Sequence, residues 1–284
     1  MNGAVIVGYD ETVAAERALA LAAYEARLHG VPLEIVNVVH PGDAPRAPGG
    51  GGAERSADWI LGEAEHTAHE ADPMLPVERL AAVGRAEDVL AGETQAAEML
   101  VLGHRAHRDF AELREGAVTV HALEQAACPV LVLCPGDHEP RHRMTVAVDL
   151  DRPTDELLGF AFEEAARRGA ALRVLSVCDS HVVVHRMAFD ADEIRSAANL
   201  VADREQALEQ AVEPWRERYP DVAGELEVAT GSIGRSLVEA TADGDLLVLG
   251  GRRHEGGRPG MEIGPAVHLL LHHAECPMAV VPIG

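Results

Sequence analysis

Short apolar runs alternate with longer amphipathic stretches along the chain, and the whole alternation occurs twice. Residues 4–8 (AVIVG) are apolar and β-branched, as suits a parallel strand buried on both faces. Residues 33–39 (LEIVNVV), 76–84, 99–102 and the run after Cys128-Pro129 read as four further strands. Between them, residues 14–29 carry Ala18, Leu19, Ala22 and Ala26 as an apolar stripe at helical spacing, with Thr12 placed to cap and Gly30 to terminate. Residues 54–71, 85–97 and a segment opening near Gly116 complete the helices. Residues 41–53, with four consecutive glycines (Gly49–Gly52), predict a mobile loop.

The same grammar returns in the later half. Strands are expected at 144–148, 171–177, 225–231 and 245–250 and after Cys276-Pro277, with helices at 153–169, 191–218 and 234–242 and a loop at 178–190. EMLVLG (98–103) recurs as DLLVLG (245–250), and AACPVLVLCP (126–135) as AECPMAVVP (274–282). Leu102 and Leu249 lie 147 positions apart and Pro129 and Pro277 148, so one residue was gained between them. A unit of that length repeated once means two copies of one domain. The expected boundaries are 1–137 and 144–284, joined by a charged linker at 138–143. Strands alternating with helices predict right-handed crossovers and an α/β fold of two doubly wound, five-stranded parallel-sheet domains. Their ligand crevices lie at the carboxyl ends of the strands.

Composition narrows the function. The 284 residues suit two domains, and 47% hydrophobic content lets each bury a core. No apolar run is long enough to span a bilayer, and MNGAVIVGYD lacks a cationic leader, so a cytoplasmic protein is expected. A net charge of −23 repels phosphate backbones and anionic lipid, which argues against nucleic-acid and membrane partners. Every basic residue is Arg; the absence of Lys excludes a GxxxxGK[ST] phosphate loop and Schiff-base chemistry. At 3% of residues, aromatics are too few for base-stacking platforms. Cys128 and Cys276 each precede Pro at the start of a last strand, and with Cys134 and Cys178 they read as buried thiols in a reducing compartment. His66 with His69, and His272 with His273, lack a third ligand at metal spacing and read as surface or helix-end histidines; no metal site follows. Ser232 and Ser236 sit by a glycine turn without a GxSxG elbow, so no catalytic residue is assigned.

The turns after the first and fourth strands are the candidate site. Gly103 lets the backbone turn and approach a ligand, and Gly116 opens a helix whose first amides suit an anion such as phosphate. Asp10, at the neighbouring strand end, is placed either to accept from a ribose hydroxyl or hold a metal–phosphate unit, or simply to cap a helix.

On VIVGYD and TVAVD, EMLVLG and DLLVLG, the glycine loop and the paired CPV-like endings, the whole chain resembles a tandem universal stress protein. The resemblance implies an adenine nucleotide alpha hydrolase-like fold with strand order 3-2-1-4-5 in each copy. It implies a regulatory stress-response module in which nucleotide-binding members carry G-x2-G-x9-G-[ST] and bind ATP with the first-strand Asp and a second-strand Val. Carried over, the first site is Asp10, Val38, Gly103, Ala106, Gly116, Ala117 and Val118, with ATP, alone or with Mg²⁺, as the cofactor it allows. Ala106 and Ala117 replace a Gly and a hydroxyl residue, which weakens rather than abolishes the cradle because the helix amides survive. The second site is degraded: Asp149, Val177 and Gly250 remain, but Arg253 replaces Gly, ten residues rather than nine precede Gly264, and Pro265 stands where Ser or Thr belongs. An Arg-rich loop there (Arg252, Arg253, Arg258) either attracts another anion or is a solvated surface loop. Two alternatives stand beside this reading. One is a nucleotide-free dimerisation or assembly protein, with the two copies as an internal pseudo-dimer or the chain as a homodimer. The other is a slow ATPase on the same fold, for which only Asp10 is well placed.

Overall fold

The computed structural model describes residues 3–42, 52–104, 116–134, 140–179, 191–254, 256 and 259–284. Most of the predicted glycine loop therefore falls outside the described residues, as do residues 180–190 of the later loop and Ala106. The chain forms two compact units, Met1–Pro135 with Arg252–Glu262, and Gly136–Gly251 with Ile263–Gly284.

The first unit runs β1 (Val5–Gly8), α1 (Val13–His29), β2 (Leu33–Val39), α2 (Gly52–Ala71), β3 (Val77–Val83), α3 (Ala86–Glu93), β4 (Met99–Gly103), α4 (Gly116–Gln125) and β5 (Val130–Leu133). Its strands are ordered β3-β2-β1-β4-β5, all parallel, with Val5 opposite both Leu33 and Met99. In this order β1 and β4, apolar up to a closing glycine, lie between β2 and β5, as suits strands buried on both faces. Val5, Val7, Leu33, Ile35, Leu100 and Val101 are fully buried, whereas the edge strand β3 (VERLAAV) carries Glu78 and Arg79 side by side and stays largely exposed. Helix α1 starts where Thr12 Oγ1 accepts from Ala15 N (3.2 Å) and stops at Gly30 in the left-handed region (φ 66°).

The later half of the chain repeats this with β6 (Arg143–Val148), α5 (Asp155–Arg168), β7 (Ala171–Asp179), α6 (Ala191–Arg218), β8 (Gly224–Gly231), α7 (Ile233–Ala242), β9 (Leu246–Arg253), β10 (Met261–Glu262), α8 (Pro265–His273) and β11 (Met278–Ile283). The order is β8-β7-β6-β9-β11. Strand β7 runs into the predicted loop, because Cys178 and Asp179 still pair with Thr230 and Gly231 of β8. Strand β9 runs three residues past the predicted end, because its last two, Arg252 and Arg253, pair antiparallel with Glu262 and Met261. This hairpin belongs with the first unit, where Gly260 (φ 104°) lies so close to the Glu124 carbonyl that a Cβ would overlap it. His254 Nε2 lies 3.3 Å from the same carbonyl.

One device is shared. Thr94 and Thr241 are buried; each hydroxyl donates to a carbonyl in the last turn of its own helix (Ala91 and Val238, 2.6 Å in both). Each also accepts the amide before the last strand, from Ala127 (3.0 Å) and Glu275 (3.1 Å). The predicted linker meets the second unit at once: the Arg141 and Arg143 amides donate to the Asp245 carboxylate.

Candidate functional site

Sheet order places Val38, Asp10 and Gly103 at neighbouring strand ends in the first unit, since β1 lies between β2 and β4. The β1–α1 turn is built around a carboxylate. Asp10 Oδ1 accepts from Thr12 N (3.2 Å) and from Thr12 Oγ1 (2.6 Å), and Thr12 caps α1 in turn. Glu11 takes a left-handed conformation (φ 61°) to make the bend. The helix-capping reading of Asp10 is thus realised indirectly, through Thr12, while the carboxylate remains exposed at the crevice mouth. Behind it, Tyr9 is buried and its carbonyl accepts from Asn37 Nδ2 (2.8 Å). Asn37 is the buried one of two polar residues, with Glu34, in the otherwise apolar run LEIVNVV, a signal that marks it as a brace. Burial pushes the Tyr9 phenol up, and the carboxylates of Glu16, Glu11, Asp10 and Glu63 push it further, so this mouth is acidic.

Gly103 has a different reason from the one its place suggests. A Cβ there would overlap the backbone carbonyl of Ala14, so the glycine lets β4 pass against the first turn of α1. After it, His104 is buried and its amide donates to Leu133 O (3.0 Å). Helix α4 opens on Gly116 and Ala117, and Val118 and Thr119 follow, half-buried and buried. Amides at such a helix start lack intrahelical partners and favour anions.

In the second unit Val177, Asp149 and Gly250 reach neighbouring strand ends in the same way. Their surroundings differ. Asp149 accepts from Asp151 N (3.1 Å) and pairs with Arg152 Nε (3.1 Å), and Asp151 binds Arg204 of α6 (2.6 Å). Gly250 accommodates Ile283, whose Cδ1 would lie 2.5 Å from an added Cβ. Arg253 is drawn into the β9–β10 hairpin, and Arg252 forms an ion pair with Glu262. Gly264 caps α8 in an extended conformation with open space around it, and Pro265 occupies the first turn, where it supplies no amide. The residues of the first candidate set on β1, β2 and β4 are thus brought together, and Arg253 of the second set is taken away from its fellows.

Burial pushes the Cys128 and Cys134 thiols up to about 12, which keeps both protonated and unreactive at neutral pH. All four cysteines are free and buried. His66 pairs with Glu70 (3.5 Å), and the His69 ring meets the Leu75 carbonyl (3.1 Å). Ser232 precedes α7 without a capping side-chain bond. Among the described residues no helix is long and apolar enough to cross a membrane.

The model of the universal stress protein family matches residues 1–133 and 140–282. A universal stress protein of Mycobacterium tuberculosis is 30% identical over 290 residues, covering 97% of this chain and 96% of that one. A second from the same organism is 30% identical over 246 residues, covering 86% and 87%. Among solved structures, a universal stress protein from Archaeoglobus fulgidus superposes with a TM-score of 0.70 at 16% identity, covering 99% of this chain and 98% of that one. With two family matches falling on two units that each carry the expected strand order, the chain belongs to the universal stress protein family.

Proposed function

We propose that the chain is a regulatory stress-response module that binds ATP in its first unit and not in its second, through Asp10, Val38, Gly103, Ala106, Gly116, Ala117 and Val118. The observation that carries this is the contrast at the two helix starts. Helix α4 opens on Gly116-Ala117-Val118 with every amide present, whereas α8 opens on Pro265 after a loop drawn into a hairpin. Adenosine fits against Val38 and Asp10, with a ribose hydroxyl donating to the carboxylate, and the phosphates lie toward the α4 amides. The acidic mouth around Tyr9 favours a metal-neutralised triphosphate over a bare one. The module spans 1–137 and 144–284 as domains in a reducing cytoplasm, with 138–143 between them.

Isothermal titration with ATP, with and without Mg²⁺, tests the reading on wild type and Gly116→Trp. One nucleotide per chain, lost in Gly116→Trp, is the expected result. No heat in the wild type leaves the nucleotide-free assembly reading, and phosphate release above background revives the ATPase.

A further inference from the structure

Helix α4 carries the candidate anion cradle at its start but lacks the usual means of ending. Its last turn holds no basic residue, and Ala126 and Ala127 follow it where a glycine would close the helix. Helices α1 and α5 have both, with Arg27 and His29 before Gly30, and Arg167 and Arg168 before Gly169. The counterpart of α4 in the later copy, α8, ends on His272 and His273 of its own. The last carbonyls of any helix have no intrahelical donor, and a helix of 10 residues is marginal without tertiary support.

The missing groups arrive from residues 252–262, which belong to the later copy by sequence and to the first unit by packing. His254 Nε2 lies 3.3 Å from the Glu124 carbonyl in that last turn; because a carbonyl only accepts, this ring nitrogen carries the proton. Gly260 (φ 104°) presses its backbone against Glu124 and Gln125 at a place where no side chain fits. Met261 beside it is fully buried. The hairpin is closed on itself by the His254 amide on Gly260 O (3.2 Å) and by the Arg252–Glu262 ion pair, so its grip is preformed.

We propose that the β9–β10 hairpin is a strap on the end of α4, with His254 and Gly260 as positioning residues that hold the helix, and so its first amides, in place for an anion. A helix this short spans about 15 Å and moves as one rod, so a grip on its last turn also fixes its first. The loop that departs from the nucleotide-binding pattern in the later copy thereby serves the site of the earlier one. The strap stands without the nucleotide reading; its effect on ATP rests on that reading.

Amide hydrogen exchange and ATP titration, both on the full chain, test the proposal in H254A, H254Q and G260A. The expected result is exchange faster by about threefold or more across residues 120–125 in H254A and G260A, the scale of one lost hydrogen bond. Helix α1, which has its own caps, should not change. ATP should weaken by a similar factor, and H254Q, whose side-chain amide donates to the same carbonyl, should restore both. Unchanged α4 exchange in H254A and G260A, or equal acceleration in α1, would overturn the strap. Faster α4 exchange with unchanged ATP affinity would overturn its positioning role. A wild type that binds no ATP removes the nucleotide reading alone, and the exchange comparison still decides the strap.

Discussion

The two units keep the same hidden clamp and differ at the loop on their crevice. Thr94 and Thr241 make the same pair of hydrogen bonds, with lengths matching to 0.1 Å. A buried carboxylate also persists on the first helix of each unit with a basic residue one turn later, His29 beside Glu25 and Arg168 beside Glu164. Between fourth strand and fourth helix, by contrast, the later copy in the sequence has a hairpin that packs with the first unit, an inserted residue and Pro265. Buried hydrogen bonds are costly to break and so hold a duplicated fold together. An exposed loop bears little of the folding free energy and is free to diverge.

Substitutions that separate these roles sharpen the comparison. The largest effect is expected at Gly103: Gly103→Val drives a branched side chain into the Ala14 carbonyl, and overpacking of that kind costs about 3 kcal/mol or more. A fall in urea midpoint of that size confirms that the glycine serves packing against α1; an unchanged midpoint refutes it. Next, Thr94→Val and Thr241→Val each leave a buried amide without its acceptor, at about 1–3 kcal/mol apiece. Calorimetric melts showing one variant silent would break the equivalence of the two clamps.

Restoring the hydroxyl in Ala117→Ser should tighten ATP by about tenfold, since a hydrogen bond to a charged group contributes roughly 1.5–3 kcal/mol. Pro265→Ser should create no second site, because Arg253 remains in the hairpin. A second equivalent of ATP in that variant would show that one residue alone silences the later copy.

A smaller effect separates Glu34 from its counterpart Arg173. Burial first, then Glu93 and Glu78, hold the Glu34 carboxyl above its usual range. Arg173 instead donates to Thr145 Oγ1 (3.2 Å) and pairs with Glu227 (3.5 Å). A carboxyl raised in the folded state favours folding below its unfolded value, and that advantage is lost as pH rises through the raised value. Glu34→Gln should therefore raise the urea midpoint at pH 7, with the gain fading toward about pH 4, the ordinary carboxyl range; a gain that grows on acidification contradicts the cause given. The smallest effect belongs to Gly264→Ala, where an added methyl meets open space and stability should move by less than about 0.5 kcal/mol.

Much of the fold was legible because it is written locally. Residues 33–39 and 191–218 form the predicted strand and helix end to end, and Gly30 and Gly169 close helices in left-handed conformations. The candidate site was half legible: periodicity brings Asp10, Val38 and Gly103 to adjacent strand ends. It does not reveal that Gly103 is held by Ala14, that Asn37 braces Tyr9, or that Arg204 reaches Asp151. Each of those depends on partners tens of residues away.

By itself the amino-acid order determined the duplication, the strand-and-helix alternation and the loss of an amide at Pro265, since these follow from spacing and backbone chemistry within a few residues. Tertiary structure alone decided which neighbour each glycine accommodates, which cation balances Asp151, and that Arg252 and Arg253 lie in a hairpin of the first unit. Those outcomes depend on through-space distances of a few ångströms between segments that no local pattern relates.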